Sequence, residues 1–469
     1  MTMLFVGASA LVLAAPAISH AENSVAEDIT TLAAVTAPQE RRAVQRMRDH
    51  NVETYTAFAP GVELRCTWPD DAAVAGIYIE WYAQPISVIL VQTDAGGREV
   101  GRETIDNPLY NDFYPLESAA RALSITSESG MQIAEFALYT AGTLPEGVYD
   151  WLPPVQKADL LVVAAHCDDE LLFFGGTIPE YAGERGLSVQ VAYLTDVGRL
   201  RVDETLCGLW HAGVRNAPVF LDLKDAYTET LRDALIRWGE EDATTALVSL
   251  IRRFRPEVIV THDLDGEYGH GAHMATAYCM ENAVPLAADK SADPDSAAAY
   301  GAWQTKKLYL HLYGENKITM DWNVPLAAFG GKTALEVANE AYHMHASQLE
   351  YHKNVYGAGE YSSADYGLAY SAVGPDEAKN DFFEHVDPAG LTTCVAPAPA
   401  AAPEPSATPE PTGTPEPVNP LAATPEPGDV TARNKSPLLW IGLAACLSAA
   451  IVLTAVPTIR AKKKQKTGV

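Results

Sequence analysis

Residues 165–170 read Ala-His-Cys-Asp-Asp-Glu and close the apolar run Leu160-Leu161-Val162-Val163-Ala164. Far downstream stands His270-Gly271-Ala272-His273, a second histidine pair at ligand spacing. A hydrolytic metal site needs three protein ligands and one open position for water. Two neutral imidazoles and one carboxylate leave the ion a net positive centre, which brings the pKa of water on it toward ~7. A carboxylate outside the ligand set must take the proton of that water. A further donor must hold the oxyanion or serve the leaving amine. The chain carries each part. His166 and Asp169, three residues apart on one turn, can face the same ion, and His273 completes the triad from the second loop. Asp168 points differently from its neighbour and can serve as base, while His270 can address a substrate carbonyl. Glu170 reads as a residue supporting the ligands from behind or as a helix-start residue, because carboxylates favour a helix N-terminus. These types at these spacings point to a mononuclear metallohydrolase.

Such a cluster needs elements that end at one place. From Lys157 onward strand patterns alternate with helical ones: strands over Asp159–Ala165, Val189–Thr195, Val219–Leu223, Glu257–Thr261 and Lys307–Leu312, with helices such as Arg199–Ala212 and Thr244–Phe254 between them. The alternation predicts an α/β domain, a Rossmann-like, mostly parallel sheet with helices on both faces. Ligands in such sheets sit beyond the carboxyl ends of the strands. His166 follows the first strand and His262-Asp263 follows a later one, so both clusters fall at that edge.

The hexapeptide 165–170 closely resembles the Ala-His-Pro-Asp-Asp-Glu signature of the PIG-L/LmbE-like zinc-dependent N-acetylglucosaminyl deacetylases, and residues 270–273 resemble that family's His-Pro-Asp-His element. Leu194-Thr195-Asp196, the Arg201-Val202-Asp203-Glu204 helix ending at His211-Ala212-Gly213-Val214, and His345-Ala346-Ser347-Gln348 are similar to further family elements, so the resemblance covers roughly residues 157–355. It implies zinc-dependent removal of an N-acetyl group from an N-acetylglucosamine-type sugar. It assigns zinc to His166, Asp169 and His273, the base to Asp168, transition-state stabilisation to His270 and a substrate contact to Arg201. Three positions depart from the pattern. Cys167 replaces a proline and so frees φ. Gly271-Ala272 replaces Pro-Asp and removes a carboxylate that could orient a ligand histidine. Val197 stands where the family often has glycine.

At 469 residues the chain has room for two globular domains plus tails. Residues 1–21 read as a signal peptide, with an apolar stretch from Leu4 to Ala15 and a small-x-small pattern at Ser19-His20-Ala21. Residues 22–152 read as a β-sandwich with a charged helical lead-in: segments such as 76–82, 86–91, 122–126 and 132–139 are β-branched, aromatic or alternating, and Asp94-Ala95-Gly96-Gly97 marks a turn. Their order resembles the discoidin-like, galactose-binding-like modules that hold sugars. The deacetylase-like domain spans 155–390, and a Pro/Ala/Thr/Glu-rich linker spans 391–436. That linker cannot pack a core and would stand as a stalk reaching on the order of 100 Å at roughly 3 Å per residue. A transmembrane helix spans 437–458, with Leu438 to Val456 free of charge, and a basic tail spans 459–469. Arg460, Lys462, Lys463, Lys464 and Lys466 place the C-terminus in the cytoplasm and the catalytic body outside. Lys+Arg of 33 against Asp+Glu of 61 gives −28, which argues against nucleic acid as a partner. The implied partners are an amino-sugar or glycan substrate and the membrane. Six cysteines in an extracellular protein permit Cys66–Cys394 and Cys207–Cys279 disulfides, with buried thiols the alternative. Two other functions fit the layout: a surface glycan-binding protein with an inactive deacetylase domain, and a metal amidase acting on another cell-envelope substrate.

Overall fold

A computed structural model describes residues 24–37, 41–196, 198–225 and 227–392. The segments expected as signal peptide, membrane helix and basic tail, and nearly all of the Pro-rich linker, lie outside them, as do Val197, Cys394 and Cys446. Among the described residues no helix is long and apolar enough to cross a membrane.

Residues 24–139 build two antiparallel sheets. One runs β1 (Ala34–Thr36), β3 (Leu64–Thr67), β8 (Ala122–Thr126), β5 (Ser87–Thr93), β6 (Glu99–Asp106). The other runs β2 (Thr56–Phe58), β9 (Met131–Tyr139), β4 (Gly76–Ala83), β7 (Asn111–Pro115). Alternation drives the packing: Ile77, Ile79 and Trp81 of β4 meet Val88 and Leu90 of β5 and Leu123 and Ile125 of β8 in one core. The expected turn forms between β5 and β6, with the Gly97 amide donating to the Asp94 carbonyl at 2.9 Å and Gly97 at φ 78°. The expected helical lead-in is met in part among the described residues. Within residues 24–60 the α-helical part is α1 (Arg41–Arg46), and the segment also supplies edge strands β1 and β2. Pairing with neighbours that the segment itself cannot encode overrides its charged, helix-like composition.

The second lobe holds one sheet ordered β12 (Val219–Lys224), β11 (Val189–Asp196), β10 (Leu160–Ala164), β13 (Val258–Thr261), β14 (Lys307–His311), β16 (Asp365–Ser371), β15 (Lys317–Thr319). The first five are parallel, and β16 and β15 join antiparallel. Burial on both faces explains the unbroken apolar run of β10. Leu160, Val162 and Ala164 enter a core with α2 (Asp169–Leu172), α3 (Arg199–His211) and α8 (Ala334–Tyr342). Leu161, Val163 and Ala165 enter a core on the opposite face with α4 (Leu231–Trp238), α5 (Glu240–Phe254) and α6 (Gly271–Ala288); α7 (Pro294–Tyr300) packs outside α5. From β10 the chain runs outward to β11 and β12, then returns to the other flank as β13 and β14. The reversal leaves a crevice at the carboxyl ends of β10 and β13.

Cys66, Cys167, Cys207 and Cys279 are free thiols. The Cys207–Cys279 disulfide is absent because α3 and α6 lie on opposite faces of the sheet. The two lobes belong to one compact unit. They meet at α3, where Arg199 Nε donates to the Trp81 carbonyl at 3.0 Å and Asn111 hydrogen-bonds Asp203.

Candidate metal centre

Strand β10 ends at Ala164, and the chain turns sharply before α2. Asp168 sits there at φ 116°, a left-handed backbone that sends its carboxylate away from that of Asp169. Asp169 folds back so that its Oδ2 accepts the His166 amide at 2.8 Å. On the adjacent strand β13, His262 follows Thr261. The loop beyond it doubles back through Gly266, Tyr268 and Gly269, all at positive φ, and delivers His270 as N-cap of α6. His273 lies on the first turn of that helix.

Three donor atoms converge. Nδ1 of His166 lies 3.1 Å from Oδ2 of Asp169, and Nε2 of His273 lies 3.3 Å from that nitrogen and 3.4 Å from that oxygen. Metal bonds of about 2.0–2.1 Å in tetrahedral geometry set ligand atoms roughly 3.3–3.4 Å apart, so this triangle fits one small divalent ion. His262 Nε2 is also 3.4 Å from Oδ2 of Asp169. It accepts the Ala165 amide at 2.9 Å, however, which occupies its lone pair and leaves it outside the ligand set.

The electrostatics separate the two neighbouring carboxylates. Burial would raise Asp169, but His273 and His166 outweigh it and hold its pKa well below the usual range. Burial and the adjacent Asp169 charge push Asp168 up to about 7, with Arg201 pulling the other way. Arg201 Nη2 donates to Asp168 Oδ1 at 2.6 Å and also to the Cys167 carbonyl. The Asp168 amide donates to Glu170 Oε2 at 2.9 Å, so Glu170 braces the turn. Burial, with His273 and His166 beside it, pushes His270 down to about 3. Its Nδ1 accepts the Ala272 amide at 3.2 Å. A neutral ring with Nδ1 so occupied carries its proton on Nε2 and can act only as a hydrogen-bond donor there.

The crevice thus joins His166, Asp168, Asp169, His270 and His273, the residues expected from the sequence. Arg201 is beside them, but its guanidinium rests on the proposed base. Cys167 points into the core with α2 and α3, away from the triangle. The Gly271 amide donates to the Thr228 carbonyl at 2.8 Å, and a Cβ there would stand 2.6 Å from the Thr230 carbonyl, so proline has no place at this position. Glu204 accepts from Ser347 N at 2.8 Å and from Ser347 Oγ at 2.6 Å, which ties α3 to the His345–Gln348 element. His345 is fully buried with Nε2 at 3.4 Å from Glu170.

Sequence reasoning missed four contributors. Asp225, after β12, places Oδ1 3.5 Å from His166 Nε2. Tyr227 and Tyr268 are exposed and stand edge-on to His270, with ring centroids at 4.9 and 5.7 Å. Glu267 is fully buried against three histidines, and its usable signal was a carboxylate between His262 and His273 in a glycine-flanked loop. Burial would raise Glu267, but those histidines outweigh it and hold its pKa well below the usual range.

The family model described as PIG-L, GlcNAc-PI de-N-acetylase, matches residues 161–284, so this chain carries a PIG-L domain. The 1D-myo-inositol 2-acetamido-2-deoxy-alpha-D-glucopyranoside deacetylase of Rhodococcus jostii (strain RHA1) is 32% identical over 184 residues, covering 33% of this chain and 61% of that protein. The protein of the same description from Mycobacterium leprae (strain Br4923) is 30% identical over 185 residues, covering 33% and 59%. The chain therefore spans 59–61% of the length of these two relatives. Among solved structures, N,N'-diacetylchitobiose deacetylase from Pyrococcus horikoshii matches 43% of this chain and 74% of that chain at 16% identity and a TM-score of 0.32. The family 32 CBM from C. perfringens NanJ matches 24% of this chain and 98% of that chain at 18% identity and a TM-score of 0.21.

Proposed function

We propose that this protein is a metal-dependent de-N-acetylase, with zinc the foremost ion, acting on N-acetylglucosamine-type sugars or glycans. The observation that carries the proposal is the three-donor triangle with a separate carboxylate and a neutral histidine donor at its rim. His166, Asp169 and His273 would hold the ion. When bound, it would supply Lewis-acid polarisation of water and of the acetamide carbonyl. Asp168 takes a proton from the attacking water as the new C–O bond forms at the carbonyl carbon. His270 Nε2–H donates to the carbonyl oxygen as charge develops there. Asp168 then returns the proton to the departing nitrogen, the C–N bond breaks, and acetate and a free amine leave.

The PIG-L match and the acetamido-glucopyranoside relatives support an amino-sugar substrate. The signal-like N-terminus, the Pro-rich stretch and the apolar segment before a basic tail support a catalytic body outside the cell, held by a single membrane helix. The test is acetate release from N-acetylglucosamine-containing glycans with and without a chelator. Release should stop with chelator, return on adding Zn2+, and fall steeply in Asp168→Asn. Full activity of Asp168→Asn would overturn the assigned base.

A further inference from the structure

We infer that Glu267 is the positioning residue of this centre: one buried carboxylate that faces Nδ1 of three histidines and thereby turns the Nε2 lone pair of His273 toward Asp169. The inference rests on the metal-site reading and deepens it.

Glu267 Oε2 stands 2.8 Å from Nδ1 of His273 and 2.8 Å from Nδ1 of His262. Its Oε1 stands 2.7 Å from Nδ1 of His311. All four side chains are fully buried. An ionised carboxylate only accepts, so the proton in each contact belongs to the ring. The opposite nitrogens then have defined states. On His262, Nε2 is a lone pair, as the Ala165 amide 2.9 Å away requires. On His311, Nε2 faces the Ser362 carbonyl at 3.0 Å. On His273, Nε2 is left as a lone pair aimed into the triangle, 3.4 Å from Asp169 Oδ2 and 3.3 Å from His166 Nδ1.

Rings from β13, β14 and α6 thus share one acceptor. The chain lacks a carboxylate inside the 270–273 element, and Glu267 orients the ligand histidine from six residues upstream. Such outer carboxylates raise the basicity of a ligand imidazole and hold its plane.

The test uses the full-length protein with 15N-labelled histidine. In the metal-free wild type, ring 15N spectra should show His273 protonated at Nδ1 and bare at Nε2; protonation at Nε2 overturns the proposal and needs no variant. In Glu267→Gln, Zn2+ affinity by chelator competition should fall about 10–100-fold, with an altered Co2+ ligand-field spectrum. Affinity within about threefold of wild type, with an unchanged Co2+ spectrum, overturns the orienting role. A wild-type protein that takes up no divalent ion while showing the stated tautomers sinks the metalloenzyme reading instead, so the two failures are separable.

Discussion

Replacing Arg201 by glutamine should move the acid limb of the pH–rate profile upward. As the proposed base, Asp168 would work only when ionised, so activity should fall as pH drops through its pKa. Its carboxyl is pushed up to about 7 by burial and by Asp169, and Arg201 at 2.6 Å opposes both. The pair is well shielded, with side-chain exposures of 21% and 8%. An opposite charge at this range lowers a carboxyl pKa by about 1–3 units. Removing the guanidinium should therefore raise Asp168 to about 8–10, and the ionised fraction at pH 7 should fall from about one half to between about one in ten and one in a thousand. The expected loss of kcat/KM at the midpoint of the wild-type limb is about 5- to 500-fold, closing toward wild type as pH rises above the shifted limb. A bound divalent ion would lower the limb in both proteins and leave the difference between them. The assay is acetate release measured from pH 5 to 10 for wild type and Arg201→Gln on the same glycan. A loss of equal size at every pH, with the limb unmoved, would refute the electrostatic argument and leave Arg201 as a substrate contact alone.

The neutral state of His270 carries a second prediction: with its pKa pushed down to about 3, it adds no ionisation limb between pH 5 and 9. His270→Ala should lose about 10²–10³ in kcat with the limbs unshifted, as for one oxyanion donor, and a shifted limb in its pH profile would contradict this. Stability offers a third. Lys307 and Asp376 form an ion pair with side chains 0% and 1% exposed, and Tyr309 Oη also donates to Asp376 at 2.6 Å. Asp376→Ala should cost about 3–5 kcal/mol in denaturant unfolding, because it strands a buried ammonium on β14; a loss under about 1 kcal/mol would mean that water reaches the pair.

The parts of the fold legible in the sequence are those whose pattern is complete within one segment. β10 announces itself because both its faces are buried, so every position is apolar. The helix over residues 199–211 and the turn at Asp94–Gly97 are likewise local. β6 and β7 went unread because β6 is an edge strand with polar residues on both faces and β7 is short with mixed ones. β1 and β2 lie within the segment expected as a helical lead-in, and nothing in them names the strands they pair with.

The site divides the same way. Residue types and a three-residue spacing within one turn determined that His166, Asp168 and Asp169 stand together, and a second pair at the same spacing supplied His270 and His273. Those are short-range facts, carried by residues three apart in the chain. The tertiary structure alone decided which atom of each residue faces the centre and in what protonation state. His262 and His273 both bring Nε2 to within 3.4 Å of Asp169, yet one accepts the Ala165 amide there and the other also faces His166. Arg201 reads as a substrate contact, and only the fold shows that α3 also lays its guanidinium on Asp168. Glu267 acquires its role only where β13, β14 and α6 bring three rings to one carboxylate. Hydrogen bonds and Coulomb terms in a buried crevice depend on ångström distances across the sheet, and those distances exist only once the sheet has formed.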